Sequence, residues 1–167
     1  IDLVTAADLA SEKAVLAVIR EAFPEHALLA EESGASATDS DFTWIVDPLD
    51  GTTNFVHGLP IFAVSIACRH MEEIVLGVVF NPVSGELFCA VRGQGATLNE
   101  RRITVSQTSA LRESLLVTGF PYDLNGKSHA LLKRFHNCMM ASRGIRRLGS
   151  AALAGLCTTA SHEAQAP

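Results

Sequence analysis

The sequence predicts an α+β fold: an antiparallel sheet domain with packed helices, followed by the start of a second α/β layer. Three observations carry that expectation. Apolar residues recur at helical spacing over 8–23, short apolar runs broken by Gly, Pro and Asn fill 61–105, and helical spacing returns at 129–141 and 149–160. The division expected is 1–125 for the sheet domain and 126–167 for the second layer.

In order, DLASEKAVLAVIREAF at 8–23 places Leu9, Val15, Leu16, Ile19 and Phe23 on one helical face. Asp8 stands as its N-cap and Pro24 as its stop. HALLAEE at 26–32 reads as a short buried strand ending on two acids, and SGASATDSD at 33–41 as a loop. FTWIVD at 42–47 is a second strand. IFAVSIACRH, IVLGVVFNP, GELFCAVRG, GATLN and RRITV then read as consecutive antiparallel strands, with NPVSG a hairpin turn. LLVTGF at 115–120 is a further strand and HALLKRFHNCMMA at 129–141 a helix, in which Met139 and Met140 serve packing. IRRL is a short strand and GSAALAGLCTTA at 149–160 a buried helix. The final SHEAQAP has no periodicity, and no internal repeat is present.

The totals exclude several classes. At 167 residues the chain can bury a core, and 48% hydrophobic with 19% charged content is ordinary for a soluble domain. A net charge of -5 offers no footprint for nucleic acid or an acidic membrane, and the cluster Arg143, Arg146, Arg147 is too short to alter that. No apolar stretch approaches the roughly eighteen residues of a membrane span. Cys68, Cys89, Cys138 and Cys157 are scattered without a C-x-x-C pair, as expected of reduced thiols in an intracellular core. The chain starts at Ile1, so a processed form or a fragment is expected.

The chemistry concentrates in DPLDGTTN at 47–54. Pro48 stiffens the backbone between Asp47 and Asp50, so both carboxylates and the Leu49 carbonyl can aim into one volume. An all-oxygen donor set suits Mg²⁺. Gly51-Thr52-Thr53 resembles a helix opening, whose free N–H groups attract phosphate. D-x-x-D-G-T by itself is equally compatible with a structural turn. The acids Glu31-Glu32, at the end of another strand, tip the balance. Two carboxylates about 4 Å apart repel by a few kcal/mol at an effective dielectric of roughly 20, and a divalent ion turns that repulsion into attraction. His57, beside the motif, is read as packing or solvent-facing, because magnesium sites seldom use imidazole.

With these residues in view, WIVDPLDGTTNFVHGLP resembles the signature of the inositol monophosphatase family of magnesium-dependent, lithium-sensitive phosphatases. The resemblance extends to DLVTAAD at 2–8, LLAEESG at 28–34, GVVFNPVSGELFCAVRGQGATLN at 77–99, TGFPYD at 118–123 and IRRLGSAALAGLC at 145–157. It implies a layered α/β sandwich in which Glu31, Asp47 and the Leu49 carbonyl hold a first metal, Glu32 being a neighbour that could exchange roles with Glu31. Asp47 bridges to a second metal, which Asp50 also binds. Gly51 and Thr52 donate N–H groups to the phosphate, Asp8 and Thr52 activate the attacking water, and the Ala151 backbone meets the substrate ring. Asp8 can serve as cap and base together. The implied reaction is in-line attack of metal-activated water on inositol 1-phosphate or a similar small phosphomonoester, with histidinol phosphate as the second candidate. A homodimer for the full-length form and a cytoplasmic or plastid setting are implied as well.

The chain also departs from the family pattern. Family members carry a helix before the DLVT segment and a downstream W-D-x-A-A-G motif whose Asp completes the second metal site, whereas Trp44 is the only tryptophan here. The chain as given is therefore expected to turn over weakly or not at all, and a catalytically silent metal-binding homologue is the alternative. The apolar GSAALAGLC helix is expected to leave an exposed patch.

Overall fold

In the computed structural model, residues 4–36, 38–120 and 128–159 are described, apart from the side chains of residues 128 and 157–159. The protein is α+β, with one large mixed sheet and helices packed on it. Helix α1 spans Ala6–Ala22, one turn earlier than the apolar spacing marks. Its N-cap is Thr5, whose hydroxyl accepts from the N–H of Ala7 and Asp8, and Asp8 returns its carboxylate to the Thr5 N–H at 2.8 Å. Asp8 is thus the fourth member of a capping box and not the cap. The buried stripe of α1 also differs from the expected one. It runs Asp8, Glu12, Leu16, Ile19, while Leu9 and Phe23 are exposed. The helix presents acids along the first half of its buried face and hydrocarbon along the second.

Strand β1 (Ala27–Ala30) is followed by the two-residue β2 (Gly34–Ala35), which lies in the segment expected to be loop. Strand β3 runs Phe42–Asp50, through Pro48 and the motif acids, with a register irregularity between Asp47 and Asp50. The motif is therefore an irregular strand end and not a free turn, and Pro48 is fully buried within it. A single turn of helix, α2 (Thr52–Val56), leads to β4 (Ala63–His70), β5 (Glu73–Asn81), β6 (Glu86–Val91), β7 (Gly95–Leu98) and β8 (Arg101–Ile103). The strand order is β2-β1-β3-β4-β5-β6-β7-β8. All neighbours are antiparallel except β1 and β3, which are parallel. NPVSG is the β5–β6 hairpin turn, closed by the Asn81 carboxamide accepting from Val83 N–H at 3.0 Å and Ser84 N–H at 3.2 Å.

The core lies between α1 and the start of the sheet: Leu16 and Ile19 meet Leu28, Ala30 and Val46, flanked by Val15, Trp44 and Ile66. Each large side chain there contributes about 1.5–3 kcal/mol of burial. Beyond the meander, β9 (Leu115–Val117) and β10 (Gly144–Arg146) form a separate parallel pair, with α3 at Ser128–Ala141 and α4 at Ala151–Thr159. Helix α4 touches β9, β4 and β5. Of its described side chains, Leu153 is buried and the others are partly or fully exposed, so α4 is less enclosed than its composition implied.

Met139 and Met140 are exposed and so is Cys138, contrary to the packing expected of them. Helix α3 has too little neighbouring structure among the described residues to cover those positions. Cys68 is buried, and burial pushes its thiol pKa up, which keeps it unreactive. The Pro121–Asp123 end of TGFPYD, the expected boundary near 125, the Cys157 side chain and the SHEAQAP tail lie outside the described residues. Among the described residues no helix is long and apolar enough to cross a membrane, which leaves membrane-spanning strands unaddressed.

Candidate metal and phosphate site

Parallel pairing of β1 and β3 sets the centre of the site. Leu29 lies beside Ile45 and Ala30 beside Val46, so the residues that leave the two strands, Glu31 and Asp47, emerge side by side. The Glu31 N–H bonds the Val46 carbonyl at 3.2 Å and extends the pairing by one step. Antiparallel strands would have sent these acids to opposite ends of the sheet. Both line a cleft of about 580 Å³, together with Leu49, Asp50, Gly51, Thr52, Ala151 and Arg147.

Electrostatics mark Asp47 as the strained member. Burial first, then the charges of Glu31 and Asp50, and a hydrogen bond with Glu31, push its carboxyl pKa up to about 7. The Leu49 N–H, donating to Asp47 Oδ1 at 3.1 Å, opposes the rise. Glu32 is also raised, by burial first and then by Glu31, Asp8 and Glu12. Between the unfolded value of 3.8 and about 7 the folded protein therefore holds a proton on Asp47 that the unfolded chain has released. More protons bound in the folded state means stability falls as pH rises through that window and levels off above it. Urea unfolding in a chelator should give a lower midpoint at about pH 8 than at about pH 5. A midpoint that climbs steadily with pH would contradict the raised carboxyl.

The other residues are set by α1, α2 and α4. Gly51 adopts φ 99°, and an added Cβ would lie 3.0 Å from the Ile61 carbonyl, so this turn requires glycine. It releases Thr52 into the first turn of α2. The Thr52 hydroxyl lies 2.9 Å from the Leu49 carbonyl and 3.2 Å from Asp8 Oδ1, and its single proton serves one acceptor at a time. Asp8, only 2% exposed, gives Oδ2 to Thr5 and keeps Oδ1 for Thr52. Ser11 donates to the Pro48 carbonyl at 2.8 Å, and Glu12, 5% exposed, accepts from the Glu32 N–H at 2.9 Å. Ser11 and Glu12 escaped sequence reading. Their signal was the interruption of an apolar helical face by polar residues three and four places after Asp8.

Asp50 behaves differently. Its carboxylate accepts from Ser150 Oγ at 2.5 Å, from Ala151 N–H at 3.0 Å and from Ala152 N–H at 2.7 Å, and so caps α4 a hundred residues away. Glu31 and Asp47 are thus brought together, while Asp50 shares their cleft with its oxygens turned to α4. Among the described residues no three side chains of the metal-binding types converge tightly enough to hold an ion as they stand. The donor chemistry nonetheless fits a hard divalent cation, since two adjoining carboxylates and a backbone carbonyl offer oxygen alone. Filling the site to three carboxylates calls on the lone pair that Asp50 Oδ1 keeps beside its Ala151 bond, or on release of an α4 hydrogen bond. His57 is exposed, with its ring 2.8 Å from the Thr53 carbonyl, and takes no part.

The model of the inositol monophosphatase family matches residues 1–166. Nus factor SuhB of Pasteurella multocida is 46% identical over 160 residues, which are 95% of this chain and 60% of that protein. Inositol-1-monophosphatase of a Synechocystis strain is 47% identical over 91% of this chain and 53% of its own length. The solved inositol monophosphatase of Anabaena superposes with a TM-score of 0.88 at 47% identity, covering 93% of this chain and 62% of that one. The chain therefore spans about three fifths or less of the length of these relatives.

Proposed function

The chain belongs to the inositol monophosphatase family, and from that premise we propose that it serves as the metal- and phosphate-binding part of a magnesium-dependent phosphatase. Its substrate is a small phosphomonoester, inositol 1-phosphate or a close analogue. The observation that carries this reading is the meeting of Glu31 and Asp47 at the ends of parallel strands, in a cleft that also holds the Gly51-Thr52 turn. Several relatives bear the name inositol-1-monophosphatase, and the raised pKa of Asp47 supports a cation among the acids.

Glu31, Asp47 and the Leu49 carbonyl would hold Mg²⁺, with Asp50 joining through the lone pair of Oδ1 that α4 leaves free. When bound, Mg²⁺ neutralises phosphoryl charge and lowers the pKa of the attacking water. The N–H groups of Gly51 and Thr52 bind phosphate oxygens. The Thr52 hydroxyl would take a proton from the attacking water as it passes its own to Asp8 Oδ1, so that the proton lost by the water ends on Asp8, a general-base contribution of roughly 10²–10³. The Ala151 backbone, at the start of α4, meets the substrate's ring. Lithium inhibition belongs to the same proposal.

A second reading has an observation of its own. The three α4 hydrogen bonds on Asp50 favour a homologue that binds metal without turnover, and other relatives carry a name, Nus factor SuhB, that states no phosphatase activity. Calorimetric titration with Mg²⁺, beside phosphate release from inositol 1-phosphate and histidinol phosphate, separates the two. Metal binding with release from inositol 1-phosphate is the expected result for a protein of the relatives' full length, and metal binding with weak release or none for residues 1–167 alone. Binding without release at full length supports the silent homologue, and failure of both overturns the site.

A further inference from the structure

We infer that Asn54 is a positioning residue, a latch that fixes the Asp50-to-α4 connection on which the far wall of the cleft depends. Asn54 is 8% exposed and does not line the cleft. Its side-chain amide spends both protons on backbone carbonyls from separate segments, Ile61 at 2.7 Å and Leu148 at 2.8 Å. The first fastens the loop that returns from α2 to β4. The second fastens the turn between β10 and α4. Both carbonyls belong to half-buried residues, and a buried carboxamide engaged at both protons has little freedom to rotate.

The turn that Asn54 holds is shaped to receive it. Gly149 follows Leu148 at φ 82°, and a Cβ there would lie 2.7 Å from Asn54 Nδ2 and 2.8 Å from its Oδ1. Ser150 comes next, 1% exposed, with its hydroxyl donating to Asp50 Oδ2 and accepting from Leu153 N–H at 3.3 Å. Leu148, Gly149 and Ser150 are consecutive, so the position of the Leu148 carbonyl fixes where Ser150 and the first N–H groups of α4 meet Asp50. The metal-facing acids Glu31 and Asp47 are held instead by the β1–β3 pairing and owe nothing to Asn54. The latch therefore governs the wall formed by Asp50 and Ala151 and leaves the sheet-borne wall alone.

The test combines a local readout with a binding split, the second of which rests on the phosphatase reading. Asn54→Ala is expected to speed hydrogen exchange of the Ala151 and Ala152 amides at least tenfold relative to amides of β3 and β4. It is also expected to weaken Mg²⁺-dependent binding of the phosphate ester inositol 1-phosphate, whose ring would meet Ala151, about tenfold, with Mg²⁺ binding itself changed by less than about threefold. Gly149→Ala, which displaces the Asn54 amide, should reproduce both effects. Combining it with Asn54→Ala removes the clash, so the double variant should exceed Asn54→Ala only by the cost of a side chain at φ 82°. Uniform acceleration across the sheet and α4, or equal losses of Mg²⁺ and inositol 1-phosphate binding, would reduce Asn54 to general stability and overturn the latch. A parent protein that binds neither Mg²⁺ nor inositol 1-phosphate would defeat the phosphatase reading, while the exchange data and the Gly149→Ala pair still decide the latch.

Discussion

Asp47→Asn is expected to stabilise the metal-free protein at about pH 8 and, at the same time, to remove its response to Mg²⁺. Replacing a partly buried polar group normally destabilises, so the sign is diagnostic. Asp47 carries a carboxyl pushed up to about 7 by burial and by the charges of Glu31 and Asp50. Above that pH it must hold a charge that its surroundings oppose. Asparagine has the same shape, keeps an oxygen to accept the Leu49 N–H that now bonds Asp47 Oδ1, and removes the charge. The gain should be about 1–2 kcal/mol once solvent screening is allowed for. Below about pH 5 it should vanish, because the native carboxyl is then protonated as well. Urea unfolding with a chelator, repeated with saturating Mg²⁺, measures both halves. An unchanged Mg²⁺ response in the variant, or lower stability at about pH 8, would remove Asp47 from the centre of the site.

Much of the fold was legible because it follows local rules. The meander from Ala63 to Ile103 alternates short apolar runs with turn residues, and NPVSG closes its hairpin through the Asn81 side chain as turn chemistry predicts. What sequence could not supply was pairing between distant segments. Nothing in HALLAEE or FTWIVD states that the two strands run parallel, yet that pairing is what brings Glu31 to Asp47. Helix α1 misled for a related reason. Its buried face is half acidic, because α1 covers the site at one end and the core at the other, so the apolar periodicity marked only the second half. Exposed Met139 and Met140 show the converse error, since apolar spacing cannot say whether a partner surface is present.

The motif also conceals a division of labour that spacing cannot reveal. Asp47 and Asp50 sit three residues apart and look alike, yet one faces another acid and the other faces a helix N-terminus. The register irregularity between them, with Pro48 buried in the strand, is what turns the two carboxylates in different directions. Ser150, the third party, lies a hundred residues on, inside the GSAALAGLC segment that the sequence marks only as a buried helix.

Asp50→Ala should accordingly act with the opposite sign to Asp47→Asn. It leaves the Ser150 hydroxyl and the Ala151 and Ala152 N–H groups without their shared acceptor, at a helix start where the backbone offers no substitute. A lost charged cap with several hydrogen bonds costs about 3 kcal/mol, whether or not metal is present. Asp50→Asn retains one accepting oxygen and should lose about 1 kcal/mol, since the neutral oxygen is a weaker acceptor and its NH₂ must turn away from the helix. If Asp50 also serves the metal, both variants should bind Mg²⁺ more weakly than the parent, and Asp50→Asn should do so with α4 still in place. Denaturant midpoints, amide exchange over Ala151–Thr159 and Mg²⁺ titration separate cap from ligand. Equal stability of Asp50→Ala and the parent would mean that the α4 cap contributes nothing. Parent-like Mg²⁺ binding by Asp50→Asn would leave Asp50 as a structural clasp, with the ion held by Glu31, Asp47 and the Leu49 carbonyl alone.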